Sequence, residues 1–222
     1  MALEDLRRKM RDKFPQAHGF CVEREGEFKN QEVKNQEFKN QDAEFIEFPA
    51  AAFPAGALSE VLVGGAGGSM MLWLAGVLGA PEQASPHPEL VLVDGSDAFD
   101  PGSFTVNACA SVLWVRCRTA MQMMQAVDLV VRDGNVPLIL VDSTGLAQRD
   151  LRALPTAAWW RVRQVAERTG SRVVVLAECS LVPCASVRRS LVGDLSVEDF
   201  DDSRGALVGR LRWVSQKIRQ AT

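Results

Sequence analysis

The sequence lacks the residue patterns that identify several common protein classes. Its five cysteines form no Cys-x-x-Cys pair, and only two histidines could assist them in binding a metal; these residues are Cys21, Cys109, Cys117, Cys179, Cys184, His18 and His87. This count and spacing argue against a structural zinc site and indicate a reduced, intracellular chain.

Long apolar runs are also missing. The longest, residues 69–78, is far shorter than the roughly 20 residues that a membrane-spanning helix needs. The start of the chain is charged, with Glu4, Asp5 and Arg7 among the first residues, and has no apolar leader. We therefore expect a cytoplasmic protein without a membrane partner.

No excess of basic charge is present. The formal net charge of −3 provides no general attraction to nucleic acid, so direct contact with DNA would need a local basic patch. A chain of 222 residues, 47% hydrophobic and 24% charged, is typical of one soluble globular domain with an added arm or tail.

Three regions differ in character along the chain. Residues 1–20 contain an amphipathic helix, over residues 2–14, whose apolar stripe consists of Leu3, Leu6, Met10 and Phe14. Residues 21–50 include a polar pentapeptide repeated three times (FKNQE, VKNQE, FKNQD; residues 28–42), which favours a flexible linker over a binding repeat. Residues 51–222 form the core.

The core has the alternating pattern of an α/β domain. Nearly continuous Val and Leu runs indicate parallel strands that are covered on both faces. We predict strands at residues 60–63, 90–94, 111–115, 138–142 and 172–176, and helices at residues 69–78, 119–131 and 156–168. Residues 185–192 and 206–216 are predicted to pair as a C-terminal antiparallel hairpin, although the second segment also suits a helix.

A glycine-rich loop connects the first predicted strand to an apolar helix. The loop and the start of the helix contain Gly64, Gly65, Gly67, Gly68, Ser69 and Met70. Such loops bind phosphate through backbone N–H groups, and an ATP site adds a lysine and a Mg²⁺-binding hydroxyl directly after the last glycine. The alternative is a tight turn in which Ser69 caps the helix.

Two acidic motifs follow the loop at strand ends. The segment from Asp94 through Ala98, Phe99, Asp100 and Pro101 follows one strand. Four apolar residues ending in Asp142 and Ser143 have the form of a Walker B strand, whose carboxylate orients Mg²⁺. The alternative for Asp142 is a turn residue that ends a buried strand.

The order and spacing of these motifs resemble the core of RecA-type recombinases. Within this superfamily the chain is most similar to the ImuA family, the RecA-like accessory proteins of bacterial damage-induced mutagenesis. Segments 54–60, 113–117 and 185–188 add to the resemblance. It implies a RecA-like core with a mainly parallel central sheet flanked by helices, an N-terminal helical arm and C-terminal antiparallel strands.

The chain departs from the recombinase pattern at the groups that perform chemistry. Val63 stands at the first glycine of the phosphate loop, Ser69 at the lysine and Met70 at the Mg²⁺-binding hydroxyl. Ser96 stands at the glutamate that activates water. Because both metal anchor and general base are missing, we expect no ATPase activity, no catalytic residues and no cofactor or metal, with weak phosphate binding left open.

A RecA-like core without catalytic groups implies a non-catalytic adaptor in translesion synthesis. By resemblance, its partners are a Y-family polymerase relative (ImuB-like) and an error-prone replicative polymerase, with RecA as a further partner. The alternatives are a nucleotide-dependent recombinase or recombination mediator, and a cell-division inhibitor of the SulA type.

Candidate contact residues lie in three places. The N-terminal stripe is predicted to dock on its own core or on a neighbouring copy, which would allow self-association. Of Trp159 and Trp160, which are adjacent on one predicted helix, only one can point inward, so the other is an interface candidate. The candidates for DNA contact are Arg188, Arg189, Arg210 and Arg212, in a region of mixed charge that is also typical of a solvated surface.

Overall fold

The computed structural model describes residues 8, 43–45, 53–63, 68–78, 90–193, 199 and 201–215. Of the predicted N-terminal helix only Arg8, which is helical and exposed, falls within this part. The rest of that helix, including its apolar stripe, and the pentapeptide repeat lie outside the described residues.

In the described part of the chain, one sheet of eight strands organises the core. The strands are β1 (Ala43–Phe45), β2 (Leu58–Val63), β3 (Leu90–Asp94), β4 (Val112–Arg116), β5 (Leu138–Asp142), β6 (Arg172–Ala177), β7 (Val187–Gly193) and β8 (Leu211–Ser215). Their order across the sheet is β1-β8-β7-β2-β6-β5-β3-β4. The six strands from β7 to β4 are parallel, and β8 is antiparallel to both of its neighbours.

Six described helices accompany the sheet. They are α1 (Gly68–Leu78), α2 (Val106–Ala110), α3 (Ala120–Asp133), α4 (Gln148–Arg152), α5 (Thr156–Thr169) and α6 (Arg204–Val208). Both long helices α3 and α5 end at a glycine in the left-handed region, Gly134 (φ 71°) and Gly170 (φ 77°), where other residues are strained. No described helix is long and apolar enough to cross a membrane.

Each face of the sheet carries its own apolar core. Val91 and Val93 point to the face that α3 and α5 cover, whereas Leu90 and Leu92 point to the face with α1. Consecutive residues of the central strands are therefore all buried, which is why their sequences are continuous apolar runs. The predicted α/β class, mainly parallel sheet and flanking helices are confirmed.

The two ends of the sheet differ from the sequence-based expectation. The predicted linker of residues 21–50 includes β1, which pairs with β8. The predicted antiparallel pairing near the C-terminus is confirmed for β7 and β8. However, the strand predicted over residues 206–216 is wrong in its first half, because Ser203 caps the short helix α6 before β8 begins at Leu211.

Candidate functional site

β3 and β5 are neighbours in the sheet, and from their carboxyl ends the chain continues to strands on opposite sides of the pair. After β3 the chain continues to β4 on one side, and after β5 it continues to β6 on the other. Ligands of open α/β sheets bind outside the carboxyl ends of strands at such a switch point. Asp94 and Asp142 end these two strands in direct register, and both are almost fully buried.

The Asp94 carboxylate is held by the turn that follows it and by β4. Its Oδ1 accepts hydrogen bonds from Ser96 N and Ser96 Oγ, both at 3.1 Å. Its Oδ2 accepts from Phe99 N at 3.3 Å and from Trp114 Nε1 at 3.0 Å. Asp94 thereby fixes the segment that the sequence analysis singled out after β3.

Both carboxyl oxygens of Asp142 also form hydrogen bonds. Its Oδ1 accepts from Thr144 N at 2.9 Å and from Thr144 Oγ1 at 2.7 Å, while its Oδ2 contacts Ser96 Oγ. Burial raises the pKa of Asp142; the Ser96 and Thr144 hydrogen bonds oppose this shift, and the charge of Asp94 adds to it.

Ser96 lies between two carboxyl groups with only one hydroxyl proton. Its Oγ is within hydrogen-bond reach of Asp94 Oδ1 and of Asp142 Oδ2, and one proton cannot serve both. Both bonds are satisfied when Asp142 is protonated and donates to Ser96 Oγ, which in turn donates to Asp94. The raised pKa of Asp142 favours this arrangement.

The turns after β3 and β5 are in direct contact. Gly95 N donates to Asp142 O at 2.8 Å, and a Cβ on Gly95 would lie 2.7 Å from that oxygen. On the facing turn, a Cβ on Gly145 would lie 2.5 Å from Ser96 Cα. Glycine is needed at both places because no side chain fits between the turns.

Replacing Asp142 with asparagine is expected to preserve or raise stability at neutral pH. The asparagine oxygen can accept from Thr144 and its amide can donate to Ser96, without a buried charge. Because the folded-state pKa of Asp142 is raised, wild-type stability should increase as the pH falls from neutral through that pKa, and decrease as it rises. Urea denaturation at several pH values should show this slope in the wild type and a smaller one in Asp142→Asn.

Asp142→Ala is the matched control, because it leaves Ser96 and the Thr144 N–H without that partner. It should be about 1–3 kcal/mol less stable than Asp142→Asn at every pH. It should share the smaller pH slope of that variant, because neither side chain titrates. An asparagine variant as unstable as the alanine variant would contradict the protonated arrangement.

The strand that precedes the glycine-rich loop, β2, ends at the same edge of the sheet. Val61, Leu176 and Asp142 lie in register across β2, β6 and β5, so the ends of these parallel strands share the carboxyl edge, with β6 between the other two. Gly64, Gly65 and Gly67 lie outside the described residues, while Gly68, Ser69 and Met70 form the first turn of α1. Ser143 donates through Oγ to Leu176 O at 2.6 Å and is fully buried.

The two adjacent tryptophans on α5 separate as predicted. Trp159 is 2% exposed and packs in the core, whereas Trp160 is 47% exposed and lies under the Arg163 guanidinium, 5.6 Å from its ring centre. Trp160 is therefore the one that an interface can use.

The predicted DNA-contact arginines are engaged in different ways. Arg188 forms a buried ion pair with Glu60. Arg210 pairs with Asp199 and Asp202, and Arg212 donates to Gly209 O and Leu211 O. Arg189 is half-buried on β7. The side chains of Arg188, Arg210 and Arg212 are thus bound to other groups of the domain, so the described structure presents no array of unpaired cations at these positions.

Sequence reasoning missed the role of Glu60. Its buried carboxylate accepts from Leu181 N at 2.5 Å and Val182 N at 2.8 Å, and it contacts Arg188 Nε. The available signal was a lone acidic residue inside an apolar strand, which requires partners when buried.

Comparison with known proteins adds no family assignment. No model of a known protein family matches the chain, and no curated protein matches it significantly.

Proposed function

We propose that this chain is a non-catalytic RecA-like adaptor of damage-induced mutagenesis, which acts in translesion synthesis by binding other proteins. The motif order that resembles the ImuA family supports the assignment. The observation that carries its non-catalytic part is the position of Ser96, which joins Asp94 and Asp142 at the switch point.

The chemistry of phosphate transfer explains why this junction matters. In a RecA-type ATPase, the carboxylate at the place of Asp142 must be ionised and directed at Mg²⁺ and its water. Here burial favours the protonated form of Asp142, and both of its carboxyl oxygens are already hydrogen-bonded, one to Thr144 and the other to Ser96. Ser96 itself stands where the general base would be, and a serine hydroxyl bound between two carboxyl groups cannot take a proton from water.

The purified chain should neither hydrolyse ATP nor bind it at micromolar strength. The lysine and the metal-binding hydroxyl are replaced by Ser69 and Met70, and charge-assisted hydrogen bonds of the missing kind contribute roughly 1.5–3 kcal/mol each. Calorimetry with ATP and Mg²⁺ should show no appreciable heat. Measurable turnover by the unaltered chain would overturn the proposal.

Ser69→Lys combined with Met70→Thr should separate binding from turnover. The two substitutions restore the missing phosphate and metal contacts, so we expect ATP binding to become detectable in the same calorimeter. Hydrolysis should remain absent, because Ser96 is unchanged. Ser69→Ala with Met70→Leu is the matched control and should bind no better than the wild type.

Partner capture distinguishes the proposed function from its alternatives. The tagged full chain would be recovered from cells of its source organism after treatment with a DNA-damaging agent. Recovery of an ImuB-like polymerase relative and an error-prone replicative polymerase supports the adaptor. Recovery of RecA or single-stranded DNA alone favours a recombination mediator, and recovery of the division protein FtsZ favours a SulA-type inhibitor; either result would replace the proposal.

A further inference from the structure

A small groove lies beyond the carboxyl ends of β5 and β6. It is formed by α4, the start of α5 and the segment that follows β6, and it has a volume of about 190 Å³. Its apolar lining comes from Leu151, Leu154, Trp159, Leu181 and Pro183. Trp159 and Leu151 are each 2% exposed, so they form its floor.

The walls of this groove are tied to one another. Cys179 Sγ donates to Gln148 Oε1 at 3.0 Å, which joins the segment after β6 to α4. Arg163 Nη1 donates to Cys184 O at 3.2 Å, which joins the same segment to α5. The carboxylate of Glu60, on β2, accepts hydrogen bonds from Leu181 N and Val182 N of this segment. The groove is therefore preformed, which lowers the entropy lost when a ligand binds.

The volume of the groove limits what can fill it. An apolar protein cavity of roughly 150 Å³ holds one benzene molecule, whereas pockets for drug-sized ligands and cofactors occupy roughly 300–1,000 Å³. The groove is thus large enough for one aromatic or large aliphatic side chain and too small for a nucleotide. This size favours a protein partner that inserts a single anchor residue.

The rim of the groove carries one charge among its described lining residues, that of Arg152. Arg152 is exposed and has no ion pair with any residue in the described part of the chain. Thr156 opens α5, whose first turn has no acidic residue and no capping side chain, so the positive end of the helix dipole is not neutralised there. Nearby Arg149 is already paired with Asp150. A ligand with a negative charge beside its apolar group complements this rim.

We propose that the groove binds a short acidic segment of a partner protein, with one large apolar side chain over Trp159 and a carboxylate beside Arg152. The helix predicted for residues 2–14 of this chain is a poorer match, because these residues carry five basic and three acidic side chains. The proposal deepens the adaptor function and rests on it for the identity of the partner.

Selection from a phage-displayed library of random short peptides on the immobilised full chain tests the groove directly. We expect enriched peptides to share a large apolar residue flanked by Asp or Glu. Synthetic copies of them should lose about tenfold or more in affinity for Arg152→Glu, which reverses the rim charge, and for Ser180→Trp, which fills the groove from an exposed position.

Arg168→Glu is the matched control. It makes the same charge reversal at the exposed far end of α5 and should leave peptide affinity within about twofold. Far-UV circular dichroism would establish that all three variants are folded. Failure to enrich peptides, enrichment of basic or uncharged peptides, or binding that Arg152→Glu and Ser180→Trp do not weaken would each overturn the groove assignment.

The partner-capture experiment separates the two proposals. Polymerase subunits recovered equally by the wild type and by Arg152→Glu would retain the adaptor function and refute the groove as its docking site. Acidic peptides that bind the groove of a chain that captures no polymerase subunit would retain the groove and refute the adaptor function.

Discussion

Replacing Glu60 with alanine is expected to lower the free energy of unfolding by about 3–5 kcal/mol. The Glu60 side chain is fully buried, and its oxygens bind two backbone N–H groups and Arg188, whose side chain is only 13% exposed. The alanine variant would leave a largely buried guanidinium and two N–H groups without that partner. Urea denaturation would measure the loss.

A double-variant cycle separates the ion pair from the rest of the effect. Adding Arg188→Met removes the orphaned charge, so Glu60→Ala with Arg188→Met should recover part of the stability, although the N–H groups of Leu181 and Val182 stay unsatisfied. Asp97→Asn is the surface control: its ion pair with Arg116 is half-exposed on the aspartate side, and its loss should cost less than about 1 kcal/mol. A Glu60→Ala loss no larger than that of Asp97→Asn would contradict the buried network.

The central strands could be predicted because local signals define both their content and their ends. β3 and β5 have the predicted bounds, since each is a run of apolar residues that stops at an aspartate followed by a turn. Burial on both faces requires no alternation, so the apolar run itself was the signal.

The outer strands could not be predicted in the same way. β1 has three residues, and its place in the sheet depends on pairing with β8, which is distant in sequence. In the C-terminal segment the patterns of a helix and of a strand overlap, and the structure contains both, α6 and β8, with Gly209 between them. Neither case could be decided from a short window.

Short sequence windows also could not predict which side chains contact one another at the candidate site. The sequence placed Asp94 and Asp142 at strand ends, and the parallel topology brings them together. That Ser96 connects them depends on the register of β3 with β5, which no local pattern specifies. Glu60 was conspicuous in its strand, but nothing in the sequence selects Arg188 over the other arginines as its partner.

Replacing Trp213 with alanine is expected to destabilise the chain by about 3–5 kcal/mol. Trp213, on β8, is 2% exposed and packs edge-to-face on Phe53 and on Trp73 of α1, with ring centres 5.5 and 5.8 Å away. Its truncation would leave a cavity where β8, α1 and the residues before β2 meet. Its Nε1 has no hydrogen-bond partner among the described residues, so the loss would report packing and not a broken polar contact with them.

Trp160→Ala is the matched control, because it removes the same side chain from an exposed position. It should cost less than about 1 kcal/mol, mainly through the contact with Arg163. Far-UV circular dichroism should follow both denaturations, since each variant loses a tryptophan and its fluorescence. If the two losses are equal, β8 is not integral to the core. A loss confined to Trp213→Ala would establish that the C-terminal hairpin folds with the parallel sheet as one unit. Truncations in this region would then lower the stability of the domain before they remove any binding surface.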